Sequence, residues 1–129
     1  MKKVEVVAAI INNNGNILCC QREVNKLAYL SEKWEFPGGK LEVGETREEA
    51  LVREIDEELE MVISNIEFAL TVVHKYEDFE LTMHTYQVST TQTKFKLHAH
   101  KEAIWSPLEK LNKYDWAAAD LPIVEYLQN

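Results

Sequence analysis

Three glutamates, Glu54, Glu57 and Glu58, have the spacing of residues that share one face of a helix. An α-helix turns through about 100° per residue, so separations of three and four positions place the carboxylates on one side. Like charges at this spacing repel by about 0.2–0.5 kcal/mol per pair, and Arg53, adjacent in sequence, is expected to point elsewhere. Mg²⁺ accepts one or two carboxylates and fills its shell with water and phosphate. The pattern indicates either a divalent cation site or a solvated acidic face.

A flexible, cationic segment precedes these glutamates. Gly38 and Gly39 let the backbone adopt conformations that other residues rarely take and let it approach a ligand closely. Lys40 supplies a positive charge, as a phosphate site requires. The same glycine pair could simply form a turn. The 22 acidic and 14 basic residues give a formal net charge of −8, which opposes nonspecific attraction to nucleic acid polymers or anionic membranes. A small polyanionic substrate would therefore need metal ions.

A helix must position the glutamates, and the sequence marks its start. Thr46 and Glu49 fit a capping box, in which each side chain satisfies a free backbone amide of the other. The helix is predicted over 47–59, with Leu51 or Val52, Ile55 and Leu59 forming an apolar stripe that faces the core.

The remaining pattern predicts mostly strands. Residues 4–11 and 16–21 form a hairpin around the turn cluster 12–15, residues 22–33 and 37–39 form loops, and further strands cover 66–76, 79–88 and 103–105. Short helices are expected after Pro107 and over 121–127, with Asp120 as a candidate N-cap of the last one. This order predicts an α/β (α+β) fold with a mixed sheet between helices, formed by 1–129 as a single domain.

Two sequence features indicate where in the cell the protein is located: two adjacent cysteines and the lack of a long apolar run. Cys19 and Cys20 would point to opposite faces of a strand, so they cannot form an ordinary disulfide with each other, and at least one of them is expected to pack in the core. Their small number favours a reducing, cytoplasmic location. The longest apolar run, 6–11, is much shorter than the ~20 residues of a membrane span.

The chain resembles the Nudix hydrolases. Gly39, five residues, Glu45, seven residues, then Arg53-Glu54-Ile55-Asp56-Glu57-Glu58 is similar to the Nudix box. The segments 6–11, 21–22, 34–40, 105–107 and 118–122 resemble the MutT and CTP pyrophosphohydrolase branch, so the likeness covers most of the chain. It implies a mixed sheet between helices and a loop-helix-loop that holds Mg²⁺ or Mn²⁺.

The resemblance also implies roles for individual residues. Glu54, Glu57 and Glu58 would be metal ligands together with the Gly38 carbonyl, and Arg53 and Glu45 would hold the box together. Arg22 and Lys40 would reach the phosphates, while Phe36 and Asp120 would lie beside the nucleobase. Phe36 could equally be a core residue, and Asp120 only a helix cap. A carboxylate there does not decide between cytosine and guanine.

The implied activity is hydrolysis of a nucleoside triphosphate to a monophosphate and pyrophosphate by water attack on phosphorus. Such an enzyme would act as a monomer or homodimer on CTP-type pyrimidine nucleotides or on 8-oxo-dGTP, to clean the nucleotide pool. Two alternatives stay open: a pyrophosphatase of ADP-ribose or another nucleotide sugar, and a noncatalytic nucleotide-binding module of the same fold.

Two positions depart from the family pattern. Glu60 stands where the box usually has a glycine, so an altered helix end is expected, because a side chain in the left-handed conformation costs about 1 kcal/mol. Ala99 stands where some relatives carry a glutamate that assists metal binding or accepts a proton. His98 and His100 lie nearby and would share a side if extended, but both are expected to be loop or surface residues. The proton acceptor is left unassigned.

Overall fold

A computed structural model describes residues 1–129 and contains one mixed sheet with helices on both faces. The strands are β1 (Lys2–Asn13), β2 (Asn16–Arg22), β3 (Trp34–Glu35), β4 (Gly38–Lys40), β5 (Ser64–Lys75), β6 (Phe79–Ser89) and β7 (His100–Pro107). The α-helices are α1 (Arg47–Leu59) and α2 (Leu121–Gln128), and 3-10 helices cover Leu108–Lys113 and Ala118–Asp120. The predicted fold class is confirmed.

Strand β1 lies at the centre of the sheet. It pairs in parallel with β6 along nearly its whole length, from Lys2 opposite Phe79 to Asn12 opposite Ser89. Its end pairs with β2 only at Asn12 and Asn13, opposite Ile17 and Asn16. Strand β2 pairs with β7 along its whole length and with β3 near its end. The sheet therefore splays apart between β1 and β2.

The gap beside β1 is filled by β4, which corrects the prediction of a loop over 37–39. Gly38 lies opposite Ala8 and Gly39 opposite Val7. Glycine has low strand propensity, so the pattern did not indicate pairing. A Cβ at Gly38 would overlap the Val7 carbonyl, so the close pairing with β1 requires glycine.

The predicted turn between β1 and β2 is confirmed at Asn14 and Gly15, but the predicted pairing of residues 4–11 with 16–21 is wrong, because only Asn12 and Asn13 of β1 pair with β2. Both have positive φ, 52° and 87°, as a two-residue turn between twisted strands requires.

Helix α1 has the predicted bounds and the predicted start. The Thr46 hydroxyl accepts from the Glu49 amide at 3.1 Å, and the Glu49 carboxylate accepts from the Thr46 amide at 2.9 Å. At its end, Glu60 takes the left-handed conformation with φ 52° and ψ 47°. The expected change in helix termination is thus wrong, since a glutamate adopts the conformation that glycine favours. Its carboxylate is paired with His98 at 2.5 Å and with Lys96 at 3.9 Å.

Alternating residues of β1 enter two hydrophobic cores. Val7, Ala9 and Ile11 pack with the buried stripe of α1, in which Leu51 rather than Val52 is buried. Ala8 and Ile10 pack on the other face with Ile123 and other residues of the C-terminal helices. Cys19 and Cys20 lie on opposite faces of β2, as predicted, and both are fully buried, where at least one was expected to be. Neither α-helix is long and apolar enough to cross a membrane.

Candidate active site

Arg53 forms hydrogen bonds with three glutamates, Glu45, Glu54 and Glu57. Its Nε donates to Glu45 Oε2 at 2.6 Å and its Nη2 to Glu45 Oε1 at 2.9 Å, so the pair is bidentate. Nη2 also donates to the Lys40 carbonyl at 3.1 Å. Hydrogen bonding to Arg53 lowers the pKa of the Glu45 carboxyl, and the same pair raises that of Arg53. The side chain thereby ties α1 to the loop after β4.

Arg53 also contacts two glutamates of the trio, Glu54 and Glu57, which corrects the expectation that its side chain points elsewhere. Its Nη1 donates to Glu54 Oε1 at 2.9 Å and to Glu57 Oε2 at 3.3 Å. A neighbour in sequence can do this because the long side chain folds back across the helix surface. The guanidinium supplies part of the neutralisation that the trio needs.

In this conformation no three acidic, histidine or cysteine side chains are grouped at metal-ligand spacing. The trio is on one helix face, but two of its carboxylates are turned towards Arg53.

Glu58 is the buried member of the trio. Burial, reinforced by the charges of Glu35 and Glu54, raises the pKa of its carboxyl to about 8, and a hydrogen bond with the Gly38 amide opposes the shift. Its Oε1 is buried with no hydrogen-bond partner. A buried carboxylate oxygen without a donor is costly, and a cation beside it would remove that cost. The donor chemistry therefore fits a hard divalent cation.

Strand β4 brings its backbone close to this face of α1. A Cβ at Gly39 would overlap the Glu54 carboxylate, so any other residue there would displace a candidate ligand. Burial raises the pKa of the Glu54 carboxyl, and the nearby Glu57 charge adds to the shift. The two glycines place the Gly38 backbone next to the carboxylates of α1, beside the central strand β1.

A cleft of about 400 Å³ opens beside Glu58. Its lining includes the predicted phosphate-binding residues Arg22 and Lys40 and the predicted base-binding residues Phe36 and Asp120. Gly38, Gly39 and Glu58 line the same cleft, whereas Glu54 and Glu57 do not. The structure thus brings together residues from separate parts of the chain at one cavity.

Phe36 and Asp120 form one wall of the cleft. Phe36 is buried and stacks on Trp116, with ring centroids 4.7 Å apart, so it is both a core residue and a lining residue. Asp120 makes no capping hydrogen bond to α2; its Oδ1 accepts from the Phe36 amide at 3.0 Å. Burial, followed by the Glu35 charge, raises the pKa of the Asp120 carboxyl well above its usual range.

His100 lies inside the protein, which corrects the expectation of a surface residue. Its Nε2 is 2.9 Å from Glu35 Oε2, and its side chain is only 2% exposed. His98 is half-exposed, as expected, and contacts Glu60 instead. The two histidines do not share a side because the segment before β7 is bent and not extended.

Comparison with models of protein families shows which family the chain belongs to. A family model described as a NUDIX domain matches residues 6–126, nearly the whole chain. The chain belongs to the Nudix hydrolase family. In the structure its Nudix box comprises β4, the loop that carries Glu45, and α1.

Named relatives cover almost the full length of this Nudix chain. It is 34% identical to the CTP pyrophosphohydrolase of Escherichia coli over 97% of this chain and 91% of the relative. It is 30% identical to the 8-oxo-dGTP diphosphatase of the same organism over 99% of this chain and 98% of the relative. The solution structure of the E. coli ORF135 protein aligns with a TM-score of 0.83 at 33% identity, over 99% of this chain and 90% of that one.

Sequence reasoning missed one residue of the Nudix site, Glu35. It forms an ion pair with Arg22 at 2.9 Å, contacts His100, and is the charge that most raises the pKa of both Glu58 and Asp120. Its only signal in the sequence was its place between two aromatic residues, Trp34 and Phe36.

Proposed function

We propose that this chain is a nucleoside triphosphate pyrophosphohydrolase that converts a nucleoside triphosphate and water to a nucleoside monophosphate and pyrophosphate with Mg²⁺ or Mn²⁺. The observation that carries the proposal is one cleft that joins the acidic end of the Nudix box to two cationic side chains and a buried aromatic-carboxyl wall. The names of the full-length relatives support a triphosphate as substrate.

The acidic end would hold the metal. Glu54, Glu57, Glu58 and the Gly38 carbonyl are the proposed ligands, and the unpartnered oxygen of Glu58 is the structural support for this assignment. When bound, the metal offsets phosphate charge and makes water a stronger nucleophile at neutral pH. Arg53 and Glu45 fix α1 against the loop, so the glutamates are held before substrate arrives.

The cationic side chains would orient the polyphosphate. Arg22 and Lys40 both line the cleft, and a guanidinium can bind phosphate oxygens through two parallel hydrogen bonds. Lys40 adds a point charge at the exposed rim. Both would compensate the phosphate charge that the chain, at −8 overall, otherwise repels.

Phe36 and Asp120 would receive the base. The Asp120 Oδ1 is engaged by the Phe36 amide, so its second oxygen is the group for a base edge. Depending on its proton, a carboxyl can accept from an amino group or donate to a carbonyl, which suits both CTP-type pyrimidine nucleotides and 8-oxo-dGTP. Removal of damaged or excess nucleotides from the pool is the role we assign.

The setting of the enzyme follows from the same features. We assign residues 1–129 to one Nudix domain that acts as a monomer or homodimer on free nucleotides rather than on nucleic acid polymers. The two free, buried cysteines support a cytoplasmic location.

A nucleotide panel tests the proposal. CTP, dCTP, dGTP, 8-oxo-dGTP and ADP-ribose are each incubated with the protein and Mg²⁺ or Mn²⁺, and the products are separated by chromatography. Equal amounts of monophosphate and pyrophosphate from CTP-type nucleotides or 8-oxo-dGTP are expected. Cleavage of ADP-ribose alone would instead identify a nucleotide-sugar pyrophosphatase, and tight binding without turnover would identify a noncatalytic module.

A further inference from the structure

Three neighbouring strands bring Arg22, Glu35 and His100 side by side. Cys20 of β2 pairs with Glu35 of β3 on one side, and Arg22 of β2 pairs with His100 of β7 on the other. Arg22 Nη1 donates to Glu35 Oε1 at 2.9 Å, and His100 Nε2 lies 2.9 Å from Glu35 Oε2. Because a carboxylate only accepts, the histidine nitrogen is the donor. Each oxygen of Glu35 therefore has its own donor.

The position of His100 depends on an irregularity in the ladder between β2 and β7. Gln21 lies opposite Glu102, so a regular antiparallel ladder would place Lys101 opposite Arg22. The register shifts at this point and His100 takes that place. Bulges of this kind redirect side chains beside active sites. Lys101 is instead exposed and paired with Glu32 at the surface.

Two members of this network keep an unpartnered polar atom. Arg22 Nε and His100 Nδ1 are both buried without a hydrogen bond. Both residues line the cleft that also contains Glu58. Unsatisfied buried polar atoms are uncommon in folded proteins and point to a functional reason for retaining them. Folding stability alone does not explain why these groups are assembled here.

We propose that Glu35 and His100 are positioning residues that hold the Arg22 guanidinium in place for the phosphates of the substrate. This inference rests on the proposed function, in which Arg22 contacts the polyphosphate. Glu35 fixes Nη1 of Arg22 and leaves Nη2 for the ligand. His100 fixes the second oxygen of Glu35, so the carboxylate cannot rotate away from Arg22.

The charge balance at the cleft supports the same role. Glu35 is a negative group beside a site for polyanions, and it lies near Glu58 and Asp120, whose carboxyl groups its charge influences. Without the His100 donor, one Glu35 oxygen would be unpaired and would repel the phosphates. With His100 bonded to its second oxygen, Glu35 can hold Arg22 without leaving an unpaired carboxylate oxygen in the cleft.

A double-mutant cycle tests whether His100 acts through Arg22. Arg22→Ala is expected to raise KM for the triphosphate about 10- to 100-fold, and His100→Ala about tenfold, with kcat changed less than about threefold in each. His100→Gln, which keeps a donor, is expected to stay within about threefold of wild type. The double variant R22A/H100A is expected to bind no more weakly than Arg22→Ala alone.

His98→Ala is the matched control, because that histidine is in the same segment and contacts only Glu60. Multiplicative effects in the double variant, or failure of His100→Gln to rescue, would overturn the positioning role. Absence of turnover by the wild type overturns the proposed function, and the cycle is then measured as affinity for a nonhydrolysable triphosphate with Mg²⁺. A wild type that neither cleaves nor binds overturns both.

Discussion

Arg53 and Glu45 form a bidentate pair, with Nε to Oε2 at 2.6 Å and Nη2 to Oε1 at 2.9 Å. The pair joins α1 to the loop after β4, and the remaining nitrogen of Arg53 contacts Glu54 and Glu57. One planar guanidinium thus connects Glu45 of the loop with two acidic side chains of α1. The ammonium group of a lysine could not form the same pair of parallel hydrogen bonds with Glu45.

Arg53→Lys is expected to lower kcat/KM about tenfold or more and to lower the melting temperature, because it keeps the charge but loses the paired geometry. Thermal melting and steady-state assays measure the two effects. Arg47→Lys is the control, since Arg47 is exposed at the start of the same helix. Wild-type activity in Arg53→Lys would contradict the proposed role.

Glu57→Gln and Glu58→Gln are expected to cause the largest losses of turnover, on the order of 100-fold, because each removes a charge from the proposed metal site and keeps the shape. Glu48→Gln, on the exposed surface of the first turn, should change turnover less than about twofold. A double variant, E57Q/E58Q, with near-normal turnover would remove both residues from the mechanism.

Glu58 should make the metal-free protein less stable as the pH rises. Burial and the charges of Glu35 and Glu54 raise its pKa to about 8 in the folded chain, while the pKa of a glutamate in an unfolded chain is about 4.3. Between these values the folded chain binds a proton that the unfolded chain lacks. The free energy of unfolding contributed by Glu58 is therefore complete below about 4.3 and is lost as the pH rises through about 8.

Glu58→Gln removes this component, so its stability should fall less steeply over the same range. Urea denaturation in EDTA at several pH values between 4 and 9 measures the two slopes. Parallel curves for the variant and the wild type would show that the Glu58 pKa is not raised.

Substitutions of Glu60 report on its left-handed backbone. Glu60→Gly is expected to be more stable than Glu60→Ala by about 1 kcal/mol, because only glycine has that conformation without strain. Both variants lose the contact with His98, so their difference isolates the backbone term. Denaturant unfolding gives the comparison, and equal stabilities would mean that Glu60 does not have positive φ in solution.

Asp120→Asn is expected to change the ratio of kcat/KM for CTP to that for 8-oxo-dGTP by about tenfold or more, because the amide oxygen stays with the Phe36 amide and the NH2 group presents only donors to the base. The acceptor for the Phe36 amide is retained, so the fold should be unaffected. Asp115→Asn is the surface control. A ratio that is the same in wild type and Asp120→Asn would place the base elsewhere.

The parts of the fold that the sequence predicted are those set by neighbours in the chain. The capping box at Thr46 marked the start of α1, and Asn14-Gly15 marked the turn between β1 and β2, because the relevant contacts join residues within a few positions. The glutamate trio was placed correctly on one helix face for the same reason.

The remaining features depend on contacts between distant segments. The pairing of Gly38 with Ala8 has no local signal, since glycine is poor in strands. The inward position of His100 follows from a register shift, which breaks the alternation on which strand analysis relies. The direction of Arg53 is a choice among rotamers that is settled by Glu45 and Glu57, eight and four positions away.

The central place of β1 has a consequence for synthesis of the protein. Its partner over nearly its whole length, β6, begins at Phe79, so the first strand emerges from the ribosome long before its main neighbour exists. Until then its apolar residues can be covered only by the hairpin and α1. The rate-limiting event in folding should be closure of this long loop, and chaperone binding to the nascent chain should be strongest before residue 90 is released.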